Sequence, residues 1–256
     1  AALSFPRHPM PDDIERQDRR RTLALPIGAA GDPASDDPTA PAARVDPVHA
    51  ALPPSQVQLV VEAGVLRDSP VGRRLLACLS PAQSAGLREL EERTGFRPLE
   101  QLERIAIAGG ANDGQSLVIA EGDFRGVDVL PLAPGASELE AIGERAVLAE
   151  HGDQTLGLWD ERLLLIGDAP SVRDSLARLA GGAPATSLSS EAYGEVYGTL
   201  SSEVLSELLP DEFGERLRGA ADRVLLHVDA TEDVLLVAEV HGQREDELAD
   251  LGTAIA

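Results

Sequence analysis

The sequence predicts an α+β protein in which antiparallel sheet segments carry helices on one face, preceded by an extended proline-rich arm. Three observations lead there. Short apolar runs such as Leu163–Ile166 have the length of strands, and several are followed by cap-and-proline signals that start helices. The same order, helices and then a hairpin, occurs twice: residues 69–94 before 104–121, and 168–221 before 223–241. Ten of the 18 prolines fall within residues 1–55, where apolar periodicity is absent apart from short patches. The chain is therefore divided into an arm, 1–55, and an α+β domain, 56–256, with pseudo-equivalent halves 56–166 and 167–256.

Taken in order, Val57, Leu59 and Val61 alternate as in a strand. Ser69-Pro70 starts a helix, as cap and first helical residue, and Val71, Leu75, Cys78 and Leu79 are expected on its buried face. Ser80-Pro81 repeats the signal, and the second helix runs to Thr94 with Gly95 as terminator. Segments 104–108 and 115–121 read as strands joined by a glycine-rich loop, 109–114, whose residues suit positive φ. Residues 127–132 read as a further strand and 137–144 as a short helix capped by Ser137. Three short strands follow, 146–149, 155–159 and 163–166, with turns at Gly152-Asp153 and Asp160-Glu161.

Gly167 and Asp168 then open a helix whose apolar face is Val172, Leu176 and Leu179, ended by Gly181-Gly182. The next stretch is expected to be helical to residue 221: one segment with Tyr193, Val196, Tyr197 and Leu200, another from Ser201-Ser202, and a third from Asp211 after Pro210. Strands with Val224, Leu226, Val228 and with Val234, Leu236, Ala238, Val240 share one face if Val224 pairs with Val240. A closing helix, 243–255, carries Leu248, Leu251 and Ile255.

Charge and composition narrow the function. The formal charge of −22 repels phosphate backbones, so nucleic acid is not expected as a partner. All 22 basic residues are arginine, which excludes Schiff-base chemistry and a P-loop lysine. One cysteine, Cys78, rules out an intrachain disulfide and a multi-cysteine metal site, and it reads as a small core residue. No apolar run approaches the ~20 residues that cross a bilayer. His227, Asp229, Glu239 and His241 share the polar face of the last hairpin. In the register above the two histidines stand about four residues apart, roughly 13 Å, too far to share one metal ion. A solvated strand face is expected there. Trp159, Tyr193 and Tyr197 read as core or half-core residues. No nucleophile–base–orienter grouping and no dinucleotide, zincin or hydrolase motif occurs, so no catalytic residue, metal or cofactor is assigned.

Two segments carry a resemblance. Residues 64–76, with Arg67-Asp68-Ser69-Pro70-Val71-Gly72, and residues 160–182, a strand–Gly–helix pattern, resemble exported proteins of GC-rich Gram-negative bacteria of the myxobacterial type. The likeness spans roughly 56–240, and its motifs are structural. It implies a periplasmic or envelope location and no activity; the alternative is a cytoplasmic one.

The functional expectation is a non-catalytic binding or accessory subunit attached to a larger assembly by its arm. Phe5, the cationic Arg19-Arg20-Arg21 cluster and the apolar Leu23, Leu25, Pro26 and Ile27 are the residues expected to meet a protein partner. The alternative is a small-molecule or lipid-binding module with a cavity between sheet and helices.

Overall fold

A computed structural model describes residues 46–110, 116–133, 135–136, 138–181, 194–230 and 234–242. Its centre is one ten-stranded sheet, antiparallel at every pairing, in the order β10-β9-β8-β1-β2-β3-β7-β6-β5-β4. The strands are β1 Val57–Val61, β2 Leu102–Gly109, β3 Ser116–Gly122, β4 Glu140–Ile142, β5 Ala146–His151, β6 Gln154–Trp159, β7 Leu163–Gly167, β8 Val196–Ser201, β9 Arg223–Asp229 and β10 Leu235–His241. The described helices are α1 Pro47–Ala51, α2 Ala63–Asp68, α3 Pro70–Ala77, α4 Pro81–Thr94, α5 Pro98–Gln101, α6 Ala169–Gly181, α7 Ser202–Leu208 and α8 Asp211–Ala220.

Two parts of the fold share an order of elements, with bounds other than the expected halves. β1, helices α2–α5 and the β2–β3 hairpin form one unit; β8, helices α7–α8 and the β9–β10 hairpin form the other. The units meet where β1 pairs antiparallel with β8, Leu59 opposite Gly198, as a two-fold axis through the sheet would place them. β4 to β7 and α6 stand between the two units in the chain.

Strand alternation sends side chains to two faces, each with its own core. On one, Val60, Ala106, Ile119, Leu165 and Tyr197 pack with Val48, Ala51 and Leu52 at α1 and with Val172 and Leu176 of α6. On the other, Ala149, Leu156, Leu158 and Leu164 pack under Phe96 and Phe124, whose rings stack at 4.9 Å. Val224 and Val240 on that face meet Leu205, Phe213 and Leu217 of α7 and α8. α4, α7 and α8 thus share a face, and α1 and α6 add a layer on the opposite one.

Several caps are as the residues dictate. Ser69 accepts from Gly72 N at 2.9 Å, and Ser80 and Gln83 form a reciprocal capping box. Gly95 ends α4 in the left-handed conformation, φ 73°. Asp168 accepts from Ser171 N at 2.9 Å, and its second oxygen accepts from Ser116 N at 3.0 Å, tying α6 to the start of β3. The last hairpin has the expected register, with Val224 opposite Val240 and His241 opposite Arg223.

Other expectations are corrected. Residues 196–201 form β8, not a helix, because the alternating Tyr197 and Thr199 fit between β1 and β9. Residues 140–142 form the edge strand β4, because pairing to β5 outweighs a weak helical pattern. The expected strand 127–132 is a loop and a 3₁₀ turn, Leu130–Leu132, over Phe96 and Phe124. The outward face of α3 carries Leu75, 58% exposed, and Cys78 at its end is exposed, so neither joins the core. The arm ends earlier than residue 55. Val48, Ala51 and Leu52 are fully buried, so residues 46–55 belong to the domain. The closing helix, Tyr193, Ser137 and most of the 109–114 loop lie outside the described residues.

Candidate functional site

Several separate parts of the chain bring ionisable side chains together under α1. Asp46 caps the helix, Oδ1 accepting from Val48 N at 2.9 Å, and Pro47 occupies the first turn, where no N–H is needed. The other carboxylate oxygen, Oδ2, lies 2.6 Å from Nη1 of Arg104 on β2. Arg104 also donates through Nε to Oε2 of Glu121 on β3 at 2.8 Å, since the hairpin sets these two residues opposite each other. Glu62, just after β1, is 3.9 Å from the same guanidinium. Arg162, from the β6–β7 turn, reaches Glu121 Oε1 at 3.2 Å.

His49 and Tyr197 complete the cluster, each 4% exposed. The Tyr197 hydroxyl lies 3.2 Å from His49 Nε2 and donates to Glu62 Oε1 at 3.1 Å. His49 Nδ1 is 3.3 Å from Asp46 Oδ2, an ion-pair distance off the hydrogen-bond direction. Burial alone would raise the Asp46 carboxyl, but His49 and Arg104 outweigh it and hold it well below the usual carboxylate range. Burial would likewise weaken the charge on Arg104, and Asp46 first, with Glu121 and Glu62, keeps it firmly protonated. For Glu62 burial wins over the pull of Arg104 and Tyr197, and its pKa is raised. Burial, helped by the nearby Glu62 charge, pushes the Tyr197 hydroxyl up as well.

Chemically the arrangement is an anchor and a proton chain. It sets charged groups in direct contact with one another. It fixes α1, and so the place where the preceding residues join the domain. A further hydrogen bond helps, from Arg178 Nε of α6 to the Ala50 carbonyl at 3.1 Å.

The surface has two open hollows of note. One, about 310 Å³, lies between α4 and α5 and is lined by Leu79, Leu87, Leu99, Arg88, Arg97 and Glu91 among others. The other, about 430 Å³, lies at the β4–β5 turn beside Arg145. Arg145 pairs with Asp160 and covers the Trp159 ring at 4.7 Å. Near α2, α3 and α5, Val65, Leu75 and Leu99 are 53%, 58% and 43% exposed.

Of the residues singled out in the sequence, Phe5, Arg19, Arg20, Arg21, Leu23, Leu25, Pro26 and Ile27 lie outside the described residues. Trp159 and Tyr197 are buried as expected, Tyr197 from a strand. The histidine face of the last hairpin is not simply solvated. His227 is 3% exposed, and both His227 and His241 place Nε2 at 3.9 Å from the Glu239 carboxylate. The Asp46, His49, Glu62, Arg104 and Glu121 cluster was not anticipated. The one local signal for it was opposed charge, Arg104 and Glu121, on two strands already expected to pair.

These features define an α+β protein built on one wide antiparallel sheet with helices on both faces; among the described residues no helix is long and apolar enough to cross a membrane. The same fold occurs in TP0453. Crystal form IV of TP0453 matches with a TM-score of 0.52 at 13% identity, over 76% of this chain and 79% of that one. Crystal form III matches with a TM-score of 0.51 at 11% identity, over 82% and 86%. No protein-family model and no curated protein matches the chain.

Proposed function

We propose that the protein is a non-catalytic binding or accessory subunit, held to a larger assembly through the segment that precedes α1, in the periplasm or envelope. The observation that carries this reading is the way the root of that segment is fastened. Asp46 both caps α1 and pairs with Arg104 at 2.6 Å, and Val48 and Leu52 are fully buried. A partner that pulls on the arm therefore pulls on the sheet. The arm offers what a partner needs: the cationic Arg19-Arg20-Arg21 cluster and the apolar Leu23, Leu25, Pro26 and Ile27. The exposed Val65, Leu75 and Leu99 give the domain a second apolar contact area.

The test is purification of the tagged chain from its native organism, with and without residues 1–45. The full chain is expected to bring stoichiometric partners that the shortened one loses. Equal recovery by both removes the arm from the reading. Cell fractionation tests the location.

A second reading, a small-molecule or lipid-binding module, is supported by a hollow of about 310 Å³, which lies between α4 and α5 and not between sheet and helices. That volume is at the lower end for ligand sites. Filling it with Leu87→Trp should abolish such binding and leave partner recovery unchanged.

A further inference from the structure

Under α1 lies a chain of four groups whose protons can be counted. Asp46 Oδ2, the His49 imidazole, the Tyr197 hydroxyl and Glu62 Oε1 follow one another at 3.3, 3.2 and 3.1 Å. A phenol has one proton to donate, and a neutral imidazole has one N–H and one lone pair. Asp46 is an acceptor only, because Arg104 at 2.6 Å keeps it ionised.

Consider Glu62 ionised and His49 neutral. With the proton on Nδ1, His49 turns an N–H toward the Asp46 carboxylate at ion-pair distance, off the hydrogen-bond direction, and Nε2 accepts from Tyr197. The phenol oxygen then meets Glu62 Oε1 at 3.1 Å with no hydrogen between them. With the proton on Nε2, Tyr197 is free to donate to Glu62. A bare Nδ1 then faces the Asp46 carboxylate at 3.3 Å. Each tautomer sets acceptor against acceptor in a site where His49 and Tyr197 are each 4% exposed, and burial makes such a contact costly. One additional proton removes the conflict. It can be the second N–H of His49 or the acid proton of Glu62, and the two forms interconvert through the Tyr197 hydroxyl.

We propose that the folded protein binds one proton in the chain Asp46–His49–Tyr197–Glu62, and that this proton locks α1 onto the sheet. The surrounding charges fit. Arg104 from β2 balances Asp46, while Glu121 from β3 is met by Arg104 and by Arg162 of the β6–β7 turn. The bound proton then balances Glu62. His227 of β9 stands opposite Tyr197. The buried Glu195 turns to Ala230 N at 2.6 Å, and Arg178 of α6 holds the Ala50 carbonyl. Burial raises the pKa of Glu62, in the direction the shared proton requires. The Glu62 side chain is 27% exposed, which gives the proton a way out to water.

In the unfolded chain a histidine releases its proton near pH 6.5 and a glutamate near about 4.3. The folded chain holds the shared proton to higher pH. Its contribution is present in full at lower pH and is lost as pH rises through the titration of the folded site. Where only the folded chain holds the proton, the unfolding constant rises about tenfold per pH unit. Above that range this contribution to holding α1 on the sheet is gone, while the Asp46–Arg104 pair and the buried Val48, Ala51 and Leu52 remain. The lock does not depend on what the arm binds.

The experiment is denaturant unfolding of the full chain between about pH 7 and 9, a range above the ordinary histidine pKa, for wild type, Glu62→Gln and Tyr197→Phe. The glutamine supplies an N–H to the Tyr197 oxygen, and the phenylalanine deletes that oxygen, so neither variant needs the extra proton. Relative to both, the wild-type unfolding constant should climb by up to about tenfold per pH unit over part of this range. NMR of the His49 ring and the Glu62 carboxyl in wild type should show one of them protonated at neutral pH. Identical pH slopes for the three proteins overturn the proposal. So does a neutral His49 beside an ionised Glu62 in the folded chain, a result that stands even if a variant fails to fold.

Discussion

Asp46 and Arg104 are 58 residues apart in sequence and 2.6 Å apart in space, and the same aspartate supplies the cap of α1 through its other oxygen. One carboxylate therefore starts a helix and fastens it to the sheet. Its effect should be visible in acid. The folded-state pKa of Asp46 lies below its unfolded value, so its contribution is present above about pH 4 and is lost as pH falls through the folded-state pKa. In urea unfolding at falling pH, wild type should lose more stability than Asp46→Asn, which keeps a capping side chain but has no charge to lose.

The Arg104 guanidinium meets both Asp46 and Glu62, and its side chain is 16% exposed. Arg104→Met should destabilise the protein by about 3 kcal/mol at neutral pH, because it takes the cation from the buried Glu121 and the half-buried Asp46 and Glu62. Denaturant titration with an unchanged slope would show that stability, not compactness, has changed.

α1 is part of the core, so two truncations should behave differently. A chain starting at residue 46 keeps α1, and one starting at residue 53 loses Val48, Ala51 and Leu52 from the core. The second should be less stable than the first by several kcal/mol, given ~3 kcal/mol for a single large-to-small change at a buried leucine. Calorimetry of the two chains checks it.

Gly72 explains the Ser69-Pro70-Val71-Gly72 motif. A Cβ at residue 72 would lie 1.7 Å from the Leu66 carbonyl oxygen, where α2 ends against α3. The Ser69 hydroxyl fills the same corner, donating to Leu66 O at 2.8 Å and accepting from Gly72 N. Gly72→Ala should cost about 2–3 kcal/mol through displaced backbone, read as a lowered midpoint in thermal unfolding.

Cys78 is exposed at the end of α3. It should react stoichiometrically with a thiol reagent in the native protein, with no denaturant lag. Slow reaction that speeds up in urea would show the thiol to be covered.

Where the sequence could be read, the reason was local. The β9–β10 register follows from two apolar faces that coincide in only one pairing, and the caps of α3, α4 and α6 are written in Ser69, Ser80 and Asp168. What could not be read depended on distant partners. Val196, Tyr197 and Leu200 fit a helical spacing as well as a strand, and only the slot between β1 and β9 decides. The α3 face is exposed at Leu75 and Cys78, and an apolar stripe says which residues share a side, not whether anything covers it. α1 has a cap and a proline but five residues and no periodicity, so it merged with the arm. The cluster beneath it draws on α1, β1, β2, β3 and β8, and no spacing within one segment announces it.

The seam between β1 and β8 also bears on how the chain folds. Val57 pairs with Leu200, more than half the chain away, while the β2–β3, β5–β6 and β9–β10 hairpins close over short loops. Loop-closure entropy delays the distant pairing, so the hairpins can form early and the middle of the sheet is joined late. In the interval β1 and β8 each present an open edge of the same kind, and two chains could trade halves across it. Refolding at high concentration would then give exchanged dimers whose sheets match those of the monomer strand for strand.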